Sequence, residues 1–211
     1  MPHVVLLGDS IFDNGAYTSG GPDVVTQLRQ VLPSIWTASL VAVDGHMTTN
    51  IPLQLTRVPS SATHLALSVG GNDALACLSV LQVPTANVQE AMGAVAALVT
   101  QFEAQYTAAV EACLRRGLPP VLCTIYNGHF ADVAFQRVAT TFVALFDDAI
   151  LRTAASRALP VIDLRAVCAQ PADYANPIEP SSAGGAKIAR ALAAVVTGMG
   201  LDTPATRVTV A

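Results

Sequence analysis

The sequence has few charged residues and no long apolar segment. Only 12% of its 211 residues are charged, and its eleven lysines and arginines are scattered along the chain rather than clustered. Scattered basic residues form no positively charged patch that would bind nucleic acid or an anionic membrane surface. No apolar run reaches the ~18 residues that a membrane-spanning helix needs. We therefore expect neither a nucleic-acid partner nor a membrane partner.

The sequence also has no metal-binding or disulfide pattern among its four cysteines. Cys77, Cys113, Cys123 and Cys168 lie in or beside apolar segments, without the short spacing of zinc ligands. We expect them to be buried free thiols. The start, Met1-Pro2-His3, has neither the basic region nor the separate apolar segment of a secretory signal, so we expect a cytoplasmic protein.

Apolar runs alternate with helical patterns along the whole chain. At this length, with 52% hydrophobic residues, we expect a single domain over residues 1–211. The predicted strands lie at residues 4–7, 40–43, 64–69, 120–126 and 159–164. The predicted helices lie at residues 23–32, 88–117, 132–156 and 182–197, and residues 202–211 are expected to be an appended tail. The alternation predicts a parallel sheet in a three-layer α/β/α sandwich.

The first strand ends at a glycine, a carboxylate and a hydroxyl. Its apolar run, residues 4–7, is bounded by Gly8 and is typical of a strand that is buried on both faces. Open α/β sheets bind their ligands at the carboxyl ends of the strands. Ser10 would lie there on a tight turn, so it is a candidate nucleophile.

The run at residues 8–14, Gly-Asp-Ser-Ile-Phe-Asp-Asn, resembles the first block of the GDSL, or SGNH, hydrolase family of esterases, lipases and acetyl-hydrolases. Residues 70–73, Gly-Gly-Asn-Asp, are similar to the third block, and Gly45 matches the glycine of the second. The resemblance implies a flavodoxin-like strand order of 2-1-3-4-5. It also implies that the backbone amides of Ser10 and Gly45 and the side chain of Asn72 bind the developing oxyanion.

The sequence departs from the family in the last block. The family has Asp-x-x-His-Pro there, in which the histidine is the general base and the aspartate orients it. Here Pro180 and the glycine-rich residues 184–189 fix a register that places Asn176 at the aspartate position and Glu179 at the histidine position. A neutral serine hydroxyl is a poor nucleophile without a group that takes its proton. Three interpretations stay open: Glu179 replaces the histidine, which the register favours; another histidine has taken over; or hydrolysis has been lost.

Two of the four histidines are expected at the carboxyl end of the sheet, where the chemistry belongs. His46 and His129 follow predicted strands, whereas the other two precede theirs. His46 and His129 are therefore alternative candidates for the base or for the pocket, together with Asp9 and Asn176.

We expect a serine hydrolase that cleaves a small-molecule carboxylic ester, with a short acyl or acetyl group, through an acyl-Ser10 intermediate. Glu179 is the expected base, and no metal or organic cofactor is implied. One alternative is a ligand-binding protein that keeps the pocket without turnover. Another is a Ser10 acyltransferase that passes the acyl group to an acceptor other than water.

Overall fold

The computed structural model describes residues 1–198, in which no helix is both long and apolar enough to span a bilayer. The strands are β1 (His3–Gly8), β2 (Thr37–Leu40), β3 (His64–Ser68), β4 (Pro120–Cys123) and β5 (Val161–Ile162). The helices are α1 (Val24–Val31), α2 (Ile51–Leu55), α3 (Gly71–Ala76), α4 (Val88–Leu114), α5 (Val133–Ser156), α6 (Leu164–Val167) and α7 (Ser182–Thr197). Short 3-10 turns lie at Gly15–Tyr17, Thr48–Asn50, Leu78–Gln82 and Pro171–Asp173. The expected tail at residues 202–211 lies outside the described residues.

All five strands are parallel and follow the predicted order β2-β1-β3-β4-β5. Side chains of β1 alternate between two cores, with Val4 and Leu6 packed against α1 and α7. Val5 and Leu7 face the opposite side, where α2, α4 and α5 lie. Both faces of β1 are thus buried, and the predicted three-layer sandwich is confirmed.

The second strand is displaced from its predicted position. The sequence predicts residues 40–43, whereas β2 is Thr37–Leu40. The N–H groups of Val41 and Ala42 both donate to the carbonyl oxygen of Leu6, each at 2.9 Å. Because two successive residues share one acceptor, the regular ladder ends there.

The two long helices begin close to their predicted positions, and a side chain caps the start of each. The side chain of Asn87 accepts the Glu90 N–H at the start of α4, and that of Asp132 accepts two N–H groups at the start of α5. The apolar residues in the first turns of α4 do not pack on the sheet, because Val88 is 78% exposed and Met92 52% exposed. With 27 residues, α4 is about 40 Å long, whereas the five residues of β3 span about 17 Å. The first turns of α4 therefore extend beyond the carboxyl edge of the sheet.

The four cysteines are free thiols, as predicted from their spacing. Cys113, Cys123 and Cys168 are buried, and Cys77 is half-buried. Burial raises the pKa of each of the four thiols. They are consequently protonated packing residues at neutral pH.

Candidate active site

Ser10 lies on a tight turn directly after β1. Gly8 has φ +132, and a Cβ on it would lie 1.7 Å from the carbonyl oxygen of Ser68, so only glycine fits this position. The Asp9 N–H donates to the same Ser68 oxygen at 3.1 Å, and Asp9 Oδ1 accepts the Ile11 N–H at 3.1 Å. These contacts hold the Ser10 side chain at the carboxyl edge of the sheet, where it is buried.

Glu179 reaches the same place from the loop that precedes α7. Asn176 Oδ1 accepts the N–H groups of Ile178 at 2.9 Å and of Glu179 at 3.0 Å, which closes the loop into a turn. Asn14 Nδ2 donates to the carbonyl oxygen of Pro180 at 3.2 Å and fastens the loop to the segment after Ser10. The Glu179 side chain is only 7% exposed.

The Glu179 carboxylate lies close to the Ser10 hydroxyl, and both side chains line the same cavity. Burial raises the pKa of Glu179 to about 7, a hydrogen bond with the Ser10 side chain opposes that rise, and the negative charge of Asp44 adds to it. Among the described residues, nothing hydrogen-bonds the buried Oε2 atom of Glu179. A carboxylate with a pKa near neutrality accepts a proton better than one at the ordinary value of ~4.3.

Asp9 is also buried at this site, but its contacts differ from those of Glu179. Burial raises the pKa of Asp9 to about 8; the Ile11 N–H lowers it, and the charges of Glu179 and Asp73 raise it further. Asp9 is therefore mostly protonated at neutral pH. Asp9 Oδ1 accepts the Ile11 N–H of the turn, which favours a role in holding the turn.

Asn72 connects the loop after β3 to the loop after β2. Its Nδ2 donates to the carbonyl oxygen of His46 at 3.0 Å. The neighbouring Asp73 accepts the Thr48 hydroxyl at 2.6 Å and the Thr48 N–H at 3.1 Å. Asn72 and Ser10 line one cavity, so the structure brings these two predicted residues together.

Gly45, the third residue predicted to bind the oxyanion, lies in an exposed part of the loop after β2. It precedes His46 in the loop after β2, is exposed and has φ +78. The cavity lining includes Ser10 and Asn72 but not Gly45. The role of its amide in binding an oxyanion stays a prediction.

Both candidate histidines lie outside the lining of the Ser10 cavity. His46 Nδ1 accepts a hydrogen bond from the Gln54 amide at 2.8 Å. His129 is exposed and stacks on Tyr174, with ring centroids 6.0 Å apart. It faces a separate, shallower pocket that Arg165 also lines.

Sequence reasoning missed two residues that shape the site. Gln54, in α2, is fully buried and bonds the backbone of Gly8, and nothing in the sequence distinguishes it from a surface glutamine. Tyr126 donates its hydroxyl to the carbonyl oxygen of Ile178 at 2.6 Å and so supports the Glu179 loop. The sequence feature that could have identified Tyr126 as a site residue is its position at the end of a predicted strand.

The cavity has an apolar wall that sequence reasoning also missed. It comes from α3, the turn after it, and α5, and includes Leu75, Leu78, Phe135, Ala139, Phe142 and Val143. Helical spacing of apolar residues is typical of a core face, so the sequence pattern does not distinguish this wall from the core.

Comparison with known families defines the class of protein. The model of the GDSL-like Lipase/Acylhydrolase family matches residues 6–187. The chain belongs to this family, as its motifs predicted, and the family supports a hydrolase that acts on ester bonds. No curated protein matches the chain in sequence.

Solved structures share the fold at low sequence identity. A lipase from a goat rumen metagenome has a TM-score of 0.71 at 18% identity, with 92% of this chain and 97% of that one covered. An extracellular lipase from Streptomyces rimosus has a TM-score of 0.68 at 17% identity, with coverages of 95% and 100%. An acetyl xylan esterase has a TM-score of 0.68 at 19% identity, with coverages of 92% and 99%. The chain is similar to these proteins in fold.

Proposed function

We propose that this protein is a serine hydrolase that cleaves carboxylic esters through an acyl-Ser10 intermediate, with Glu179 as the base. The observation that carries the proposal is the contact of the buried Glu179 carboxylate with the Ser10 side chain in one cavity, where burial raises the pKa of Glu179 to about 7. The family supports ester hydrolysis in general, and this contact supports the particular base.

In the proposed first half-reaction, Ser10 Oγ attacks the ester carbonyl carbon while Glu179 takes the hydroxyl proton. The carbonyl electron pair moves to its oxygen. When the tetrahedral intermediate collapses, the bond to the alcohol oxygen breaks and Glu179 returns the proton to that oxygen. In the second half-reaction water attacks the acyl-enzyme, with Glu179 again taking and returning a proton, and the carboxylic acid leaves.

The developing oxyanion would be bound by the backbone amides of Ser10 and Gly45 and by the Asn72 side chain. An amide nitrogen carries two hydrogens, and the carbonyl oxygen of His46 accepts one from Asn72 Nδ2. The other hydrogen is then available to the oxyanion. Each such donor commonly lowers the barrier by ~3 kcal/mol.

We propose a small-molecule ester as the partner, with the short acyl group expected from the sequence. The solved structures of similar fold include a lipase and an acetyl xylan esterase. The fold is therefore compatible with a wide range of acyl groups in the substrate. A cytoplasmic location remains a prediction from the sequence.

The decisive experiment combines an activated aryl ester with a serine-directed phosphonate. We expect a burst of phenol from p-nitrophenyl butyrate and a phosphonate adduct that mass spectrometry places on Ser10. Ser10→Ala should lose both, whereas Ser79→Ala, which changes an exposed serine, should lose neither. Binding of esters without any turnover would overturn the proposal in favour of the ligand-binding protein. Turnover that needs an added alcohol acceptor would favour the acyltransferase.

A further inference from the structure

The cavity beside Ser10 is lined by a few polar groups and by many apolar side chains. Its charged lining residues are Asp9 and Glu179, and Ser10 and Asn72 also line it. Most of the other lining side chains are apolar. We call the part of the cavity that α3, the turn after it and α5 line the side chamber; its wall residues are Leu75, Leu78, Phe135, Ala139, Phe142 and Val143.

Two helical segments contribute the walls of the side chamber. From α5 come Phe135, Ala139 and Phe142, whose spacing of four and three residues places them on one helix face. That face, from Phe135 to Val143, extends about 12 Å along the axis. Leu78, which begins the 3-10 turn after α3, contributes a further apolar wall residue. Apolar walls of this kind favour an apolar chain over a polar group.

We propose that the side chamber binds the acyl chain of the ester, and that the preferred acyl group is an aliphatic chain longer than acetyl. This inference rests on the proposed function. It narrows the expected acyl group, because acetyl becomes a poorer substrate group than a longer aliphatic chain. An acetyl group on Ser10 would leave the walls formed by Leu78 and Ala139 without a contact. A longer chain would remove that apolar surface from water.

The acyl part rather than the alcohol is assigned to the side chamber because only the acyl part stays on Ser10 between the two half-reactions. The alcohol has to leave before water enters. Asp44 and Gly45 are exposed in the loop after β2, and the Asp44 N–H donates to Asp13 Oδ2 in the segment after Ser10 at 3.0 Å. Asp44 carries a charge close enough to raise the pKa of Glu179, so this loop is polar and suits the departing alcohol and the entering water.

The first test is a series of p-nitrophenyl esters with one leaving group and acyl chains of increasing length: acetate, butyrate, hexanoate and octanoate. Each buried methylene is expected to raise kcat/KM by about fourfold. We expect hexanoate to exceed acetate by at least about tenfold. Hydrolysis of acetate without any gain from longer chains would overturn this inference alone. Absence of hydrolysis for every ester would overturn the proposed function, and this inference with it.

The second test fills the chamber with a larger side chain. Ala139 is 4% exposed on the chamber wall, away from the reacting groups. Ala139→Phe should abolish the advantage of hexanoate and octanoate over acetate, so that kcat/KM falls at least about tenfold more for octanoate than for acetate. The matched control is Ala144→Phe, which adds the same ring to an exposed position of the same helix. Ala139→Val, a smaller change, should shift the preferred chain length part of the way.

The third test separates the acyl chain from the alcohol. A series of alkyl acetates, from ethyl to octyl, varies the alcohol alone. Ala139→Phe should leave the relative rates of this series unchanged. If the alkyl acetates respond to Ala139→Phe and the p-nitrophenyl series does not, the chamber holds the alcohol and the assignment is wrong. Equal loss of acetate and octanoate hydrolysis in folded Ala139→Phe would also overturn it.

Discussion

Gln54 and Gly8 are joined by a pair of hydrogen bonds across 46 positions of sequence. Gln54 Oε1 accepts the Gly8 N–H at 2.8 Å, and Gln54 Nε2 donates to the Gly8 carbonyl oxygen at 2.6 Å. The same nitrogen donates to His46 Nδ1 at 2.8 Å. One buried side chain therefore connects the end of β1, which carries Ser10, to the loop that carries Gly45.

Gln54→Met keeps the length of this side chain but removes the three hydrogen bonds. The Gly8 carbonyl oxygen would keep the Val43 N–H as a donor, but the Gly8 N–H would be left buried without a partner, so we expect the free energy of unfolding to fall by about 1–3 kcal/mol. We also expect kcat to fall about tenfold or more in the folded variant. Urea unfolding and ester kinetics measure the two effects, and Gln82→Met, at an exposed glutamine, is the control. Unchanged kcat would show that Gln54 only stabilises the fold.

The pH dependence of hydrolysis should report the Glu179 carboxyl group. Its pKa is raised to about 7, so the base is ionised above that pH and protonated below it. We expect kcat/KM to rise with pH through an apparent pKa near 7. Glu179→Gln should lower kcat/KM by at least ~100-fold without lowering the melting temperature. Near-normal activity in that variant would remove the carboxylate base from the mechanism.

His129→Ala tests the competing base. Since His129 is exposed and outside the lining of the Ser10 cavity, we expect kcat/KM to stay within about twofold and the acidic limb of the pH profile to keep its position. The comparison uses the same ester as for Glu179→Gln. A loss of tenfold or more, with a shifted acidic limb, would assign the proton transfer to the histidine.

Asn72→Ala tests the oxyanion donor. We expect kcat to fall by roughly 100-fold or more, which is typical of the loss of one such donor. Because Asn72 also holds the His46 carbonyl, Asn72→Asp is a useful second variant: it keeps the size but replaces the donor with an acceptor. Wild-type rates in folded Asn72→Ala would make Asn72 a turn residue only.

The buried carboxyl group of Asp147 should make the free energy of unfolding fall as pH rises, which is the opposite of the usual effect of a carboxylate. Burial raises the pKa of its carboxyl group to about 7, while the Ile125 N–H and Arg165 oppose that rise. Between its unfolded pKa of ~3.9 and about 7, the folded state binds more protons than the unfolded state at this group. Its contribution to the free energy of unfolding therefore falls as pH rises through that range.

Asp147→Asn isolates this effect. The difference in the free energy of unfolding, variant minus wild type, should increase from pH 4 to pH 7 and level off above that. Urea unfolding of both proteins at each pH measures it, and the difference cancels the contributions of other titrating groups. A difference that is flat or falls with pH would contradict the raised pKa.

The sequence was sufficient to predict the parallel sheet and the position of Ser10 at its carboxyl edge. The apolar run of β1 ends at Gly8, and a glycine next to a buried strand predicts a turn at the carboxyl edge of a parallel sheet. The position of Asn72 at the same edge was predictable because it follows two glycines at the end of another predicted strand. The register of Pro180 placed Glu179 correctly beside the Ser10 turn, although the residue type differs from the family pattern.

The remaining features depend on contacts that a linear pattern does not contain. The end of β2 depends on the sharing of one carbonyl oxygen by Val41 and Ala42. The role of Gln54 depends on its distance from Gly8 in space. The helical spacing of Phe135, Ala139 and Phe142 predicts an apolar face, but whether that face meets another side chain or a cavity is decided by what lies opposite.

Asn176 accepts two backbone hydrogen bonds. These bonds determine the order in which two substitutions could introduce the family's Asp-x-x-His sequence. Aspartate has the same Oδ1 acceptor, so Asn176→Asp keeps both bonds and leaves Glu179 in place. Glu179→His made first would place an imidazole beside Ser10 without a carboxylate to fix its tautomer. Under the proposed function, the aspartate-first route therefore passes through one intermediate that keeps Glu179 as the base. Directed evolution that begins from this protein should accumulate the two substitutions in that order.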